Sequence, residues 1–253
     1  MTDGSNSTAT NRNGKSERVE LDPPQSAHTP RPTSKQIQVL ATCMIIAAAV
    51  FLWSALYPRD RLTWVLEVLP VLLGVPLLLL TYRRFGLTTL AYVLITIHAI
   101  ILMVGGHYTY AQVPLFNWLR DTFHFGRNHY DRLGHFAQGL VPAILAREVL
   151  LRTSPLRRGK WLTFLVICIC MAISAWYELF EWLTAAVSGS KADAFLGGQG
   201  DVWDTQKDMA CAFVGAICAL VFLTTIHNRQ LARLLKGRNL QRFGRKSGLF
   251  ARD

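Results

Sequence analysis

The chain has 253 residues, 51% of them hydrophobic and 17% charged, with a formal net charge of +11 and a mean hydropathy of +0.24. A water-soluble domain of this size would be hard to keep in solution with so little charge, so the composition indicates a polytopic membrane protein. Nucleic acid is excluded as the reason for the positive charge, which sits beside apolar runs and in the tail from Arg229 to Arg252 without the aromatic interleaving of a single-strand binder.

Residues 1–36 are rich in Ser, Thr, Asn, Pro and mixed charge, and are expected to form a disordered cytoplasmic arm with no secretory signal. Six apolar stretches follow in a transmembrane domain spanning 37–226, each near the roughly 20 residues that cross a bilayer. They run from Ile37 to Tyr57, Leu62 to Tyr82, Phe85 to Gly105, Asp131 to Leu151, Trp161 to Trp182 and Asp204 to Ile226. Between the third and fourth, Gly106 to Tyr130 mixes aromatic and polar residues as an interfacial segment does. Residues 227–253 form a basic tail suited to anionic lipid at the inner leaflet. The predicted fold is therefore all-α, a bundle of six transmembrane helices with an interfacial segment between helices three and four.

Lys and Arg in short connections are retained on the cytoplasmic side. Arg83 and Arg84, then Arg147, Arg152, Arg157, Arg158 and Lys160, then the basic tail, occupy alternate loops. Both termini are thus expected in the cytoplasm of a bacterial inner membrane.

That topology places three ionisable clusters at the outer surface. Residues three and four apart share a helix face, which aligns Asp131, His135, Gln138 and Pro142 on helix four, and Ser174, Glu178 and Glu181 on helix five. On helix six it aligns Asp204, Asp208, Cys211 and Gly215, with Ala212 and Ala216 adjacent. Small residues there would let helix six approach its neighbours closely. Glu67 lies at comparable depth, and Gly105 and Gly106 are expected to form a turn that aims His107 inward.

Ionisable groups inside a bilayer are costly and mark functional sites by default. The candidate catalytic residues are His135, Asp131, Glu178 and Asp204, with His135 as proton shuttle. The candidate substrate-binding residues are His107, Tyr130, Gln138, Glu181, Asp208 and Glu67. A divalent metal is the candidate cofactor, with His135, Glu178, Glu181 and Asp204 as its ligands, although no His-x-x-x-His or Glu-x-x-His pair specifies it. The candidate partner is membrane lipid or a lipid-linked head group. Two other readings stay open: the same residues only pin helices together through ion pairs of Arg127 or Arg132, or they belong to a solute carrier. His124 and His129 fall in the interfacial segment, where a solvated role is expected. The five cysteines lie within apolar runs and form neither a disulfide framework nor a zinc-ribbon spacing.

Four stretches carry a resemblance: Asp60-Arg61-Leu62-Thr63-Trp64 with Glu67-Val68-Leu69-Pro70; Gly105 through Ala111; Asn128 through Gly139; and Asp201 through Met209. Over about Ile37 to Ile226 the chain resembles the YjdF-like inner-membrane proteins of bacteria, which implies a helical membrane fold and no particular reaction. More remotely it is similar to VanZ-like membrane proteins, which are linked to glycopeptide-antibiotic tolerance. Asp131-Arg132 with His135, Glu178 with Glu181, and Asp204 with Asp208 occupy the places of that pattern, with Arg132, Glu181 and Asp208 standing for its Lys, Gln and Asn.

Overall fold

The structure, a computed structural model, describes residues 33–188 and 198–249, without the side chains of 188 and 237–249. Most of the expected arm 1–36, residues 189–197 and the last four residues of the basic tail lie outside that range. Among the described residues every regular element is a helix. They are α1 (Ser34–Ala55), α2 (Arg61–Thr81), α3 (Thr89–Tyr108), α4 (Pro114–Phe123), α5 (Tyr130–Thr153), α6 (Lys160–Ser188), and α7 (Asp204–Cys218). A π-helical turn (Ala219–Leu223) carries α7 into α8 (Thr224–Leu249).

The helix starts follow from local chemistry. Free N–H groups of a first turn need an acceptor, and short polar side chains supply one. Thr33 and Gln36 close a capping box on α1, the Asp60 carboxylate accepts from the Thr63 amide at 2.7 Å on α2, and Thr88 caps α3. Pro114 opens α4 at a position where its missing N–H costs nothing.

Helices α1, α2, α3 and α6, and the segment running from α7 into α8, are long and apolar enough to cross a membrane. Their outer faces fit hydrocarbon: Ile45, Leu73, Leu80 and Trp176 are among the large apolar side chains left exposed. Helix α5 matches the remaining expected span in length but carries ionisable groups at both ends. It sits inside the bundle, packed against α3, α6 and α7, so protein rather than lipid surrounds its charges.

Cross-contacts give the directions. Gln36 reaches Thr89 and His107 reaches Ser54, so α1 and α3 run parallel. Thr88 bonds Glu148 while Tyr130 bonds the Ile101 carbonyl, so α3 and α5 are antiparallel. His135 faces Glu178 and Gly139 faces Cys170, which makes α6 antiparallel to α5. Helix α7 runs alongside α5, and their backbones touch. A Cβ placed on Gly139 would overlap the Ala212 carbonyl, and one on Gly215 would overlap the Phe136 carbonyl. The small face expected on this helix thus does bring it against its neighbour.

One expectation is corrected. Gly105 and Gly106 lie inside α3, not in a turn. The chain reverses at Thr109 and Tyr110, whose φ values of 58° and 47° are left-handed. The glycines serve close packing instead: the Tyr110 ring occupies the space a Gly105 side chain would take, and Glu67 and Trp64 crowd Gly106.

The end of α5 remote from Asp131 is fastened by a second buried network that the sequence reading did not single out. Glu148 is fully buried. It accepts from the Thr88 amide at 3.0 Å and hydroxyl at 2.7 Å, pairs with Arg152 at 2.7 Å, and meets His227 Nε2 at 3.1 Å. His227 Nδ1 lies 2.8 Å from Arg147, whose guanidinium can only donate, so Nδ1 is the acceptor and Nε2–H donates to Glu148. Three helices, α3, α5 and α8, are joined there.

Two stability outcomes follow. Gly215→Leu forces α7 off α5 and costs about 1–3 kcal/mol or more, read as a lower melting temperature in detergent. Glu148→Gln takes the carboxylate partner from Arg152 and His227 and costs about 3–5 kcal/mol; an unchanged thermal midpoint would show that this network does not stabilise the fold.

Candidate functional site

Three helix ends converge around the start of α5. Asp131, Arg132 and His135 come from α5, Glu178 and Glu181 from α6, and Asp204 and Asp208 from α7. Asp131, His135, Glu178, Glu181 and Asp208 are all buried.

The layer nearest the bundle end is built of arginine and aspartate. Arg132 pairs with Asp204 at 2.6 Å, with Asp201 at 3.3 Å, and with Asp208. Arg127 pairs with Asp204, reaches Asp131 at 3.4 Å, and donates to the Gly198 carbonyl at 3.3 Å. Fully buried Asn128 organises this layer. Its side-chain oxygen accepts from the Tyr130 amide, its NH2 donates to the Val113 carbonyl and to Asn117, and its backbone exchanges two hydrogen bonds with the Gln199 side chain. The turn before α7 is thereby tied to the start of α5.

Asp201 lies at the rim, where the Lys207 ammonium at 2.6 Å, followed by the Trp203 amide, holds its carboxyl below the usual range. His129 is pushed down, by its partial burial first and then by Arg127, Arg132 and Lys207, so it is neutral at pH 7. His124, at the end of α4, is exposed as expected.

One step deeper the composition changes. His135 Nε2 stands 3.5 Å from Asp131 Oδ1 and 3.8 Å from Asp208 Oδ1, while Nδ1 stands 3.1 Å from Gln138 Oε1 and 3.6 Å from Glu178 Oε1. Glu178 Oε1 is buried without a hydrogen-bond partner. Tyr177 sets its ring edge-on to His135 with centroids 6.0 Å apart, and its hydroxyl donates to Glu67 at 2.9 Å. Glu67 therefore joins the site through Tyr177.

Two candidates fall outside. His107 bonds the Ser54 carbonyl at 3.0 Å and stacks on Trp53 at 4.4 Å, at the α1–α3 seam. It faces that way because α3 continues a full turn beyond Gly105, rotating residue 107 away from α5. Tyr130 is buried between Tyr110 and Phe116 with its hydroxyl spent on the Ile101 carbonyl, so it packs rather than binds. Of the expected metal set, Asp204 is held by both arginines at the rim. The groups that surround one point are Asp131, His135 and Asp208, with one ligand atom from each lying within 4.8 Å of the others.

Residues 39–229 match the family described as "Predicted membrane protein (DUF2238)". The chain belongs to that family. It is 51% identical over 195 residues to "Inner membrane protein YjdF" of Escherichia coli (strain K12), covering 77% of this chain and 93% of that protein. No solved structure matches. The matched region takes in all the buried polar residues described above.

A pH outcome follows from Asp201. Its folded pKa is depressed, so its contribution is present above the unfolded value of about 3.9 and is lost as pH falls through the folded value. Hydrogen exchange at residues 198–203 should accelerate as pH drops below about 4 and, in Asp201→Asn, should be fast at every pH relative to the intrinsic rate. Protection independent of both would show that Lys207 does not hold the turn.

Proposed function

We propose that this membrane protein binds, and through His135 acts on, the polar head group of a membrane lipid or lipid-linked molecule at the outer leaflet of a bacterial inner membrane. In this reading six helices span the bilayer, α4 lies along its surface with Leu115, Trp118 and Phe123 exposed, and both termini are cytoplasmic. The basic residues of the connections and tail support the orientation, and the inner-membrane relative supports the location.

The observation that carries the reading is the position of Tyr177. On one side it touches the buried imidazole and Glu67. On the other it ends a shallow apolar groove formed on α6 by Ile169, Ala172, Ile173 and Trp176. An amphiphile lying with its chain in that groove would bring its head group to the acid-imidazole cluster. His135 then exchanges a proton with the head group, while Asp131 and Glu178 orient the ring from opposite nitrogens.

A purely fastening role has its own support in the arginine–aspartate pairs of the rim. It accounts less well for Glu178, Glu181 and Glu67, which have no Lys or Arg ion pair among the described residues, because a buried carboxylate without a counter-charge weakens a bundle.

The two readings separate by lipid capture. Protein reconstituted in nanodiscs of whole inner-membrane lipid extract should enrich one lipid class, identified by mass spectrometry. Both His135→Ala and the groove variant Trp176→Ser should reduce that enrichment at least tenfold with the melting temperature retained. No enriched class in the wild type, or equal enrichment in both variants, would overturn the proposal.

A further inference from the structure

The deep layer of the site holds an arrangement of acceptors that calls for a cation. Gln138 Oε1 and Glu178 Oε1 both face His135 Nδ1, and each can only accept there. A neutral ring with its proton on Nδ1 satisfies that side and turns the Nε2 lone pair toward two carboxylate oxygens, Asp131 Oδ1 and Asp208 Oδ1. In that state three electron-rich atoms face one another, with the Arg132 guanidinium reaching Asp208 Oδ1 from outside the trio, and a cation between them offsets their repulsion.

We propose that Asp131, His135 and Asp208 bind a divalent first-row metal ion such as Zn2+ or Mn2+, with Glu178 and Gln138 holding the imidazole from behind. The three donor atoms lie within 4.8 Å of one another. Metal–donor distances of about 2.0–2.2 Å are reached if the trio closes by a few tenths of an ångström. One imidazole and two carboxylates form a mixed donor set suited to such ions, with positions left open for a further ligand. A histidine that ligates through one nitrogen and donates from the other to a carboxylate or amide is the usual outer-shell arrangement.

A second observation points the same way. Glu178 is 6% exposed, and its Oε1 has no hydrogen-bond partner although it faces the imidazole. In the metal-bound site it accepts the Nδ1 proton. Arg132 pairs with the same Asp208 Oδ1 that faces the imidazole, and a carboxylate oxygen has lone pairs enough for both partners.

The proposal concerns the same site as the head-group reading but gives His135 a different part in it: with Nε2 on the metal the imidazole holds the ion instead of exchanging a proton, and the open metal position would polarise a phosphoryl or carbonyl oxygen; the metal site does not require that reading. The full chain is purified in detergent without chelator, analysed for metals, stripped with EDTA and titrated with Zn2+, Mn2+ and Co2+. Expected are one ion per chain after reloading and Co2+ absorption bands of a nitrogen–oxygen site. Asp208→Asn and His135→Ala should weaken affinity at least a hundredfold and Glu178→Gln about tenfold, while His107→Ala, at the α1–α3 seam, binds as wild type. The Co2+ spectrum of the wild type needs no variant to fold. Failure of the stripped wild type to bind any of the three ions stoichiometrically, or binding unchanged in folded Asp208→Asn, overturns the metal site, a protonated imidazole then being what separates the carboxylates. Metal binding without enrichment of any lipid leaves the metal site standing and removes the head-group reading; lipid enrichment by protein that binds none of the three ions does the reverse.

Discussion

Everything polar in this bundle depends on how closely α5 and α7 approach each other. With Gly139 set against the Ala212 carbonyl and Gly215 against that of Phe136, the two helices run almost backbone to backbone, and side chains just above the contact are forced together. Asp208 comes within reach of both His135 and Arg132 for that reason. In hydrocarbon there is no apolar surplus to drive helices together, so contact of small residues and hydrogen bonds between helices must supply the association. Here small residues make the contact, and the charges lie one to two turns before it along each helix.

The two polar networks solve the same electrostatic problem differently. At Glu148 every lobe of the carboxylate is engaged by a donor from the Thr88 cap, Arg152 or His227. The carboxylate itself is satisfied there, and the tautomer of His227 is fixed by a guanidinium. At His135 the opposite holds: the nearest groups are acceptors, and Glu178 Oε1 is unengaged. The contrast within one chain is between a carboxylate surrounded by donors and an imidazole surrounded by acceptors.

Much of this was legible in the residues. The helical class follows from hydropathy, and of the six spans expected five are helices long and apolar enough to cross a membrane; the i, i+3, i+4 alignments grouped Asp131 with His135 and Gln138 as the structure does. Ala212 and Gly215 were read as a contact face, and they are one. His107 was misplaced because two adjacent glycines suggest a turn, whereas inside a membrane helix they more readily admit a neighbour, here Tyr110 and Glu67. Glu148 and His227 went unread because they lie 79 residues apart and no local spacing joins them. Tyr130 looked like a binding residue by its place in a polar run, but its hydroxyl is claimed by a carbonyl on α3, a partner that only the tertiary fold reveals. The rim role of Asp204, against the deep role of Asp208, depends on which way α7 is rotated, and a helical wheel alone cannot fix that.

Between the two charged zones α5 presents only Leu140 through Ala146, about 13 Å of rise between Gln138 and Arg147 at 1.5 Å per residue. Ala143 and Ile144 in that stretch are sealed against Ala91, Val166, Cys170 and Ala216 with no exposed surface. The two charged zones of α5 are thereby kept apart by an apolar partition, and no ionisable side chain of that helix links one to the other.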